Sequence, residues 1–377
     1  MRASWAFERA VETLFRGQTA RLLSFLSLLF GLVLAGCTGP RYVAQAACGQ
    51  IEISFARRDL ADVVSDANVP DRVRALLSRV PDIKRFGERH GLRPTASYGT
   101  YADLERSAAV WVVSASEPLR FKMKSWSFPI VGSVTYLGWF DRGEARDFAR
   151  ELKDEGWDVD VRGASAYSTL GWFDDPVLST MIPEGDEALG ELANVVLHES
   201  VHATLYIKGQ TALNESVANF IGDALAEIYL DETVGAGSIQ KAAYMEGQRE
   251  GERRRAIMTA AYEELDRLYK SKASDREKLA EKARILAALR AEIRARRPIT
   301  NATLAQFKQY NTGKEELTLL LKVCKGSFVR LLASLRGLEK TVNTNTNKNT
   351  KGPGQQERDL AKLFLPLVRA GCPGAPS

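Results

Sequence analysis

Histidine is the scarcest informative residue, with three in 377. Cysteine is nearly as rare, with four, and no two stand at zinc-ligand spacing, so a cysteine-built metal site is excluded. Charge of one sign is not in large excess. The formal net charge is +5, of which residues 1–36, with four Arg and two Glu, contribute +2 and leave +3. No basic stripe with interleaved aromatics is present, and no nucleic-acid partner is expected. A long apolar run is missing too. Leu22–Leu34 has thirteen residues, short of the ~20 needed to span a bilayer as a helix. There is no internal repeat. What remains, 45% hydrophobic and 26% charged residues, is ordinary for a globular chain with a sizeable core in one or two domains.

Two of the three histidines fall in one short stretch, Leu197-His198-Glu199-Ser200-Val201-His202, with Asn214-Glu215 beyond it. The pattern is H-E-x-x-H. On a helix, residues four apart point the same way, so His198 and His202 can occupy two corners of a Zn²⁺ tetrahedron. Glu199 beside them is placed to act as general base. Glu215, thirteen positions past His202, is the expected third ligand, carried by the next helix. The fourth corner stays open, as a catalytic site requires. One Zn²⁺ ion is therefore the expected cofactor. Val195, His198, His202 and Leu205 recur at three, four and three, so the metal face continues an inward apolar stripe. Asn219 and Asp223, one and two turns after Glu215, suit either of two roles equally, orienting ligands or ordinary helix-face positions.

The N-terminus reads as a targeting segment. Arg2, Arg9, Arg16 and Arg21 precede the apolar run, and Leu34-Ala35-Gly36-Cys37 follows. The short run suits a signal-peptide core. The small residues before Cys37 resemble a bacterial lipobox, which implies cleavage before Cys37 and acylation of its thiol. The protein would then be lipid-anchored to a bacterial membrane and face the periplasm, with Thr38 after the cysteine favouring the outer membrane. Cys48, Cys324 and Cys372 remain. They permit one disulfide and one free thiol, and spacing does not say which.

In chain order, residues 38–49 read as a helix leading off the bilayer, and 57–92 as helical. His90, near the end of that stretch, suits a helix C-terminus. Strand-like runs follow at 109–113, 128–136 and 157–161, with a helix at 143–155 between them. Tyr167, Ser168, Thr169, Leu170 and Gly171 are read as the cleft-edge strand that pairs with substrate. The two metal-binding helices are expected at 187–207 and 214–230. A charge-dense helical hairpin over 249–296, with a capping box at Ser274-Asp275-Arg276-Glu277, reads as solvated. Further helices lie at 301–310, 317–321, 328–338 and 360–368. The fold class is α+β and zincin-like: a small mixed sheet packed on the H-E-x-x-H helix, then a mainly helical part. The boundaries are 1–36 signal peptide, 37–96 N-terminal helical segment, 97–235 catalytic core, 236–340 helical subdomain, 341–358 low-complexity linker and 359–377 tail.

Over most of its mature length the chain resembles a family of bacterial lipoproteins that carries an aminopeptidase name and is similar to gluzincin metallopeptidases. The resemblance rests on Tyr42, Gln45-Ala46 and Gly49-Gln50; on Lys124, Trp126, Phe128-Pro129 and Gly132; and on the long stretch Ala166 to Pro176. His198 to Thr204, Asn214-Glu215-Ser216, Asn301, Leu304 and Tyr310 complete it. Relatives carry cysteines where this chain has Ser127 and Ser133, so a cross-link there is impossible here. The Asn/Thr-rich stretch near 345 departs as a local insertion.

The resemblance implies zinc-dependent hydrolysis of a peptide substrate, with Tyr310 or Tyr167 donating to the oxyanion. The residues leave two rivals open: endopeptidase action, and a lipid-anchored binding or scaffold protein that does not turn over.

Overall fold

The computed structural model describes residues 39–128, 132–167, 169, 173–207, 210–310, 313–349 and 360–372. Cys37 and residues 1–36 lie outside them. The chain opens with α1 (Gly39–Phe55), β1 (Arg57–Asp59), α2 (Leu60–Ser65), α3 (Asp71–Leu77) and α4 (Val80–Arg89). Strand β1 takes the first three residues of what periodicity reads as a helical stretch over 57–92. It pairs antiparallel with β2 (Thr100–Ala102), which pairs parallel with β8 (Val177–Leu178). This is the mixed sheet, and it is very short. His90 caps α4 at its C-terminus, its Nδ1 2.9 Å from the Phe86 carbonyl.

The larger sheet is antiparallel, in the order β6 (Tyr136–Trp139), β3 (Val110–Ser116), β7 (Asp158–Ala164). Its two faces go to different cores, as period-2 alternation dictates. Val110 and Val112 join the main core, while Val113 and Ala115 meet α5 (Arg142–Asp154) through Phe148, Ala149 and Leu152. The segment around Phe128-Pro129 breaks into a separate hairpin, β4 (Trp126–Phe128) and β5 (Gly132–Val134). There Ser127 and Ser133 face each other with hydroxyl oxygens 2.9 Å apart, a hydrogen bond across the pair.

Helix α1 belongs to the fold rather than to a tether. The Gln45 amide donates to the Gly138 carbonyl at 3.0 Å and accepts from the Phe140 N–H at 3.0 Å. Gly49 makes room for the Phe140 ring, which a Cβ there would meet at 2.0 Å.

The remainder is helical: α6 (Ala188–Thr204), α7 (Thr211–Thr233), α8 (Ile239–Lys270), α9 (Asp275–Glu292), α10 (Asn301–Tyr310), α11 (Lys314–Val323), α12 (Phe328–Asn349) and α13 (Leu360–Ala370). The capping box at Ser274 and Glu277 starts α9. The α8–α9 hairpin is not wholly solvated. Its inner stripe, Leu265, Ile285 and Leu289, forms a core with Leu304 of α10, and Phe121 stacks on Tyr262 at 4.0 Å. Lys282 is buried, donating to Asp158 at 2.6 Å and to the Pro118 carbonyl at 2.9 Å. Mixed charge at helical spacing hides a narrow apolar seam of this kind. Helix α12 runs to Asn349, so the Asn/Thr run that reads as linker from 341 is helical over its first part; 350–358 lie outside the described residues. Cys324 and Cys372 form a disulfide and Cys48 is free.

Candidate metal centre

Helix α6 is held on its apolar side by Leu189, Leu192, Val196, Leu197 and Val201, all buried in the main core. That packing turns His198 and His202 toward α7. The two helices cross closely because residue 222 is glycine: a Cβ there would stand 3.2–3.3 Å from His198 atoms. The connection between the helices is pinned by Asn214, buried, which accepts from the Ile207 N–H at 2.9 Å and donates to the Ile207 carbonyl at 2.9 Å. Asn214 thereby fixes the register in which Glu215 arrives.

The three expected ligands come together. The Nε2 atoms of His198 and His202 are 3.1 Å apart, and the Glu215 carboxylate lies 3.6 Å from one and 3.7 Å from the other. Tetrahedral Zn²⁺ with bonds of about 2.0–2.2 Å sets neighbouring donors roughly 3.3–3.5 Å apart. The three separations straddle that spacing, and the set fits the ion. Among the described residues it is the one such group of three His, Cys, Asp or Glu. Burial lowers the pKa of His198 to about 4 and of His202 to about 3, so both imidazoles are neutral and available as ligands. Their contacts with Glu215 are therefore not ion pairs in the metal-free protein. Burial raises Glu215 to about 7, with the Arg162 guanidinium working against the rise. A bound cation would return Glu215 to its ionised form. Asn219 hydrogen-bonds His198 from the next turn of α7, the orienting role its spacing suggests. Asp223 instead accepts from Asn194 at 2.7 Å, away from the ligands.

Only two residues of the expected substrate edge are described. Tyr167 and Thr169 have no strand pairing, and Ser168, Leu170 and Gly171 lie outside the described residues. Tyr167 packs into the core with its ring edge-on to Phe140 at 5.0 Å. Thr169 is tied to Asp175: its N–H donates to the carboxylate at 2.9 Å and its hydroxyl at 2.8 Å, while the Phe173 N–H donates back to that hydroxyl at 3.0 Å. Side chains have taken the Thr169 and Phe173 backbone donors that a ladder would need. Strand β7, at the edge of its sheet, carries Arg162, whose charge acts on Glu215. Tyr310 closes α10, and its side chain lies outside the described residues.

Two tyrosines that the motif reading did not single out do stand at the site. Tyr206 is half exposed, its ring 6.4 Å from His202, and burial and then the Glu215 charge raise its hydroxyl pKa. Its spacing, four past His202, was a usable signal. Tyr98 is buried with φ of 65°, and the charges of Glu199 and Asp175 add to burial in raising its pKa. No sequence pattern marks Tyr98.

Two neutral imidazoles one helical turn apart, a carboxylate from the following helix and an adjacent glutamate define a candidate metal site of the H-E-x-x-H type on an α+β frame. The chain belongs to the family described as "Putative aminopeptidase", which matches residues 41–350. No curated protein and no solved structure matches the chain.

Proposed function

We propose that the chain is a zinc-dependent peptidase with a zincin-like catalytic frame, an aminopeptidase, attached to a bacterial membrane through an acylated Cys37. The observation that carries the hydrolytic reading is the donor triangle of His198, His202 and Glu215, whose edges suit one Zn²⁺. The family's description supports exopeptidase action. When bound, the ion supplies Lewis-acid polarisation of a carbonyl and acidifies water.

The chain's own residues do the rest. Glu199, next to His198, accepts a proton from the attacking water and returns it to the leaving amine. Asn219 holds the His198 ring. Tyr206, protonated at neutral pH and open to solvent on one side, donates a hydrogen bond to the developing oxyanion. Arg162 on β7 supplies positive charge beside Glu215. The peptide substrate lies along the β7 side of the centre.

The test is metal analysis paired with aminoacyl reporters and internally quenched peptides. Wild type is expected to hold one zinc per chain and cleave the aminoacyl reporters. Glu199→Gln keeps the zinc and loses turnover by about 10²–10⁴-fold; Tyr206→Phe keeps the zinc and loses about 10–10³-fold. Unchanged turnover in Glu199→Gln removes this mechanism. Cleavage confined to the quenched peptides selects the endopeptidase reading. Zinc binding without turnover on any peptide selects the scaffold reading.

A further inference from the structure

The polar seam between α6 and α7 does not end at the metal ligands. On α6, Glu191, Asn194, His198 and His202 follow one another at three, four and four; on α7, Glu215, Asn219 and Asp223 follow at four and four. Each set lies along one helix face. The helices run antiparallel, so the faces meet in pairs: His202 with Glu215, His198 with Asn219, and Asn194 with Asp223. Past the second pair the seam opens into a cavity of about 330 Å³, walled on its far side by α8. Asn219 belongs to both regions. It lines the cavity and holds His198.

The cavity is chemically mixed. Glu191 and Asp223 stand on one side; burial raises both pKa values and the Asp223 charge raises that of Glu191 further, while Asn194, Arg255 and Lys314 work against the rise at Asp223. Two neighbouring, partly desolvated carboxylates call for a cation. Lys314 lies at the wall but is committed to Glu252. Arg255 faces the same space with no close hydrogen bond or ion pair among the described residues; its charge acts on Asp223 and Glu252, and its guanidinium is folded back over Gly251. Ser216 also lines the cavity. Its hydroxyl is buried with no hydrogen-bond partner among the described residues, and the residue is 5% exposed. The fixed cations argue against a divalent metal here. The volume lies at the lower end of the range for small-molecule pockets.

We propose that this cavity is a binding site for a free α-amino acid, its ammonium between Glu191 and Asp223 and its carboxylate on Arg255, with Ser216 as an additional hydrogen-bond partner. The ligand class is read from the cavity itself. That such a ligand is also the product of the chain's reaction rests on the aminopeptidase reading above. A product so bound would sit against Asn219 and thus against the side chain that orients His198.

Calorimetry on the zinc-saturated full chain tests this and needs no turnover, so an inactive protein would sink the hydrolase reading without touching this one. L-leucine is expected to bind, and leucinamide and 4-methylpentanoate, each lacking one charge, to bind at least tenfold more weakly. Asp223→Asn and Arg255→Ala each weaken leucine by about tenfold or more, the effect of removing one charged hydrogen-bond partner. Gly247 lies at the cavity wall, where an added Cβ meets nothing within 4 Å. Gly247→Leu therefore fills the mouth without disturbing the helix, and abolishes leucine binding with zinc content unchanged. No heat with leucine overturns the proposal. So does equal binding of the three compounds. Leucine binding undiminished in Gly247→Leu and Arg255→Ala places the ligand at the metal centre instead and likewise overturns it.

Discussion

His198 and His202 show how burial prepares ligands before any ion arrives. Unfolded, each imidazole protonates near pH 6.5; folded, they wait until about 4 and about 3. As pH falls from about 6.5 towards 4, the unfolded chain therefore gains two protons that the folded chain does not. Each such proton costs the folded state about 1.4 kcal/mol per pH unit. Glu215 acts in the opposite sense. Its folded pKa of about 7 lies above the ordinary glutamate value of 4.5, so protonation favours the folded state as pH falls through 7. The net effect of the three groups between pH 4.5 and 6.5 is loss of stability towards acid. In EDTA-treated protein, the double variant His198→Gln/His202→Gln should resist acid better than wild type. Urea midpoints should show a gap growing by about 2–3 kcal/mol per unit below pH 6. A constant gap across that range would mean that the imidazoles are not held neutral. The same residues were the most legible in the sequence, because i, i+4 spacing on a helix is a local rule. Tyr98 was not legible, since its approach to Glu199 depends on a loop stapled to Asp175: the Tyr98 N–H donates to the Asp175 carbonyl at 2.6 Å.

At the scale of elements, periodicity located most helices and strands to within a few residues. It failed where side chains compete with the backbone. Within 166–176 the Thr169 hydroxyl and the Asp175 carboxylate take local backbone donors, and Tyr167 and Thr169, read as part of a cleft-edge strand, have no strand pairing. The α8–α9 hairpin failed differently. Charge density describes its outer face, while Lys282 and three aliphatic residues carry the inner one. Asp158 accepts from both Lys282 and the Asn301 N–H, at 2.6 and 2.8 Å, so one carboxylate ties β7, α9 and α10 together. Lys282→Ala should cost about 3 kcal/mol, the low end for stripping one partner from a buried pair, because Asn301 still serves Asp158. A lowered urea midpoint with unchanged slope is the expected signature. A midpoint shift of under about 0.5 kcal/mol equivalent would return the hairpin to a loosely attached, solvated arm. Since β7 also carries Arg162, loosening this tie should reach the metal centre as well.

At the scale of the whole molecule, the cysteines divide the chain's tasks. Cys324 at the end of α11 is joined to Cys372 just past α13, 48 residues on, and Cys324 is fully buried. A disulfide of this kind persists in an oxidising compartment, which supports an exported protein and agrees with the signal-like segment before Cys37. If Cys37 is the anchor, Cys37→Ser should fail to incorporate labelled palmitate and should leave the membrane fraction, while zinc content and turnover stay as in wild type. Retention in the membrane would point to an uncleaved apolar segment as the anchor. The disulfide makes a separate, mechanical prediction. Residues 350–359 between α12 and α13 lie outside the described residues; α13 is held by Leu360, Leu363 and Phe364 in the main core, with Leu367 and Val368 packed against it, by the bond at Cys372 and by Arg330 donating to the Cys372 carbonyl. Closing a loop of 48 residues lowers the entropy of the unfolded chain by an amount worth about 4 kcal/mol at most, and strain or residual structure reduces it. Cys372→Ser should therefore lower unfolding free energy by about 2–4 kcal/mol. Wild type treated with reductant should fall to the same urea midpoint. The metal centre lies on α6 and α7, away from this clamp, so zinc stoichiometry in Cys372→Ser should remain that of wild type. Loss of zinc on reduction would mean instead that α11 and α13 hold α7 in register, which the packing of Leu317 and Leu320 in the same core as Leu225 makes the alternative to test against.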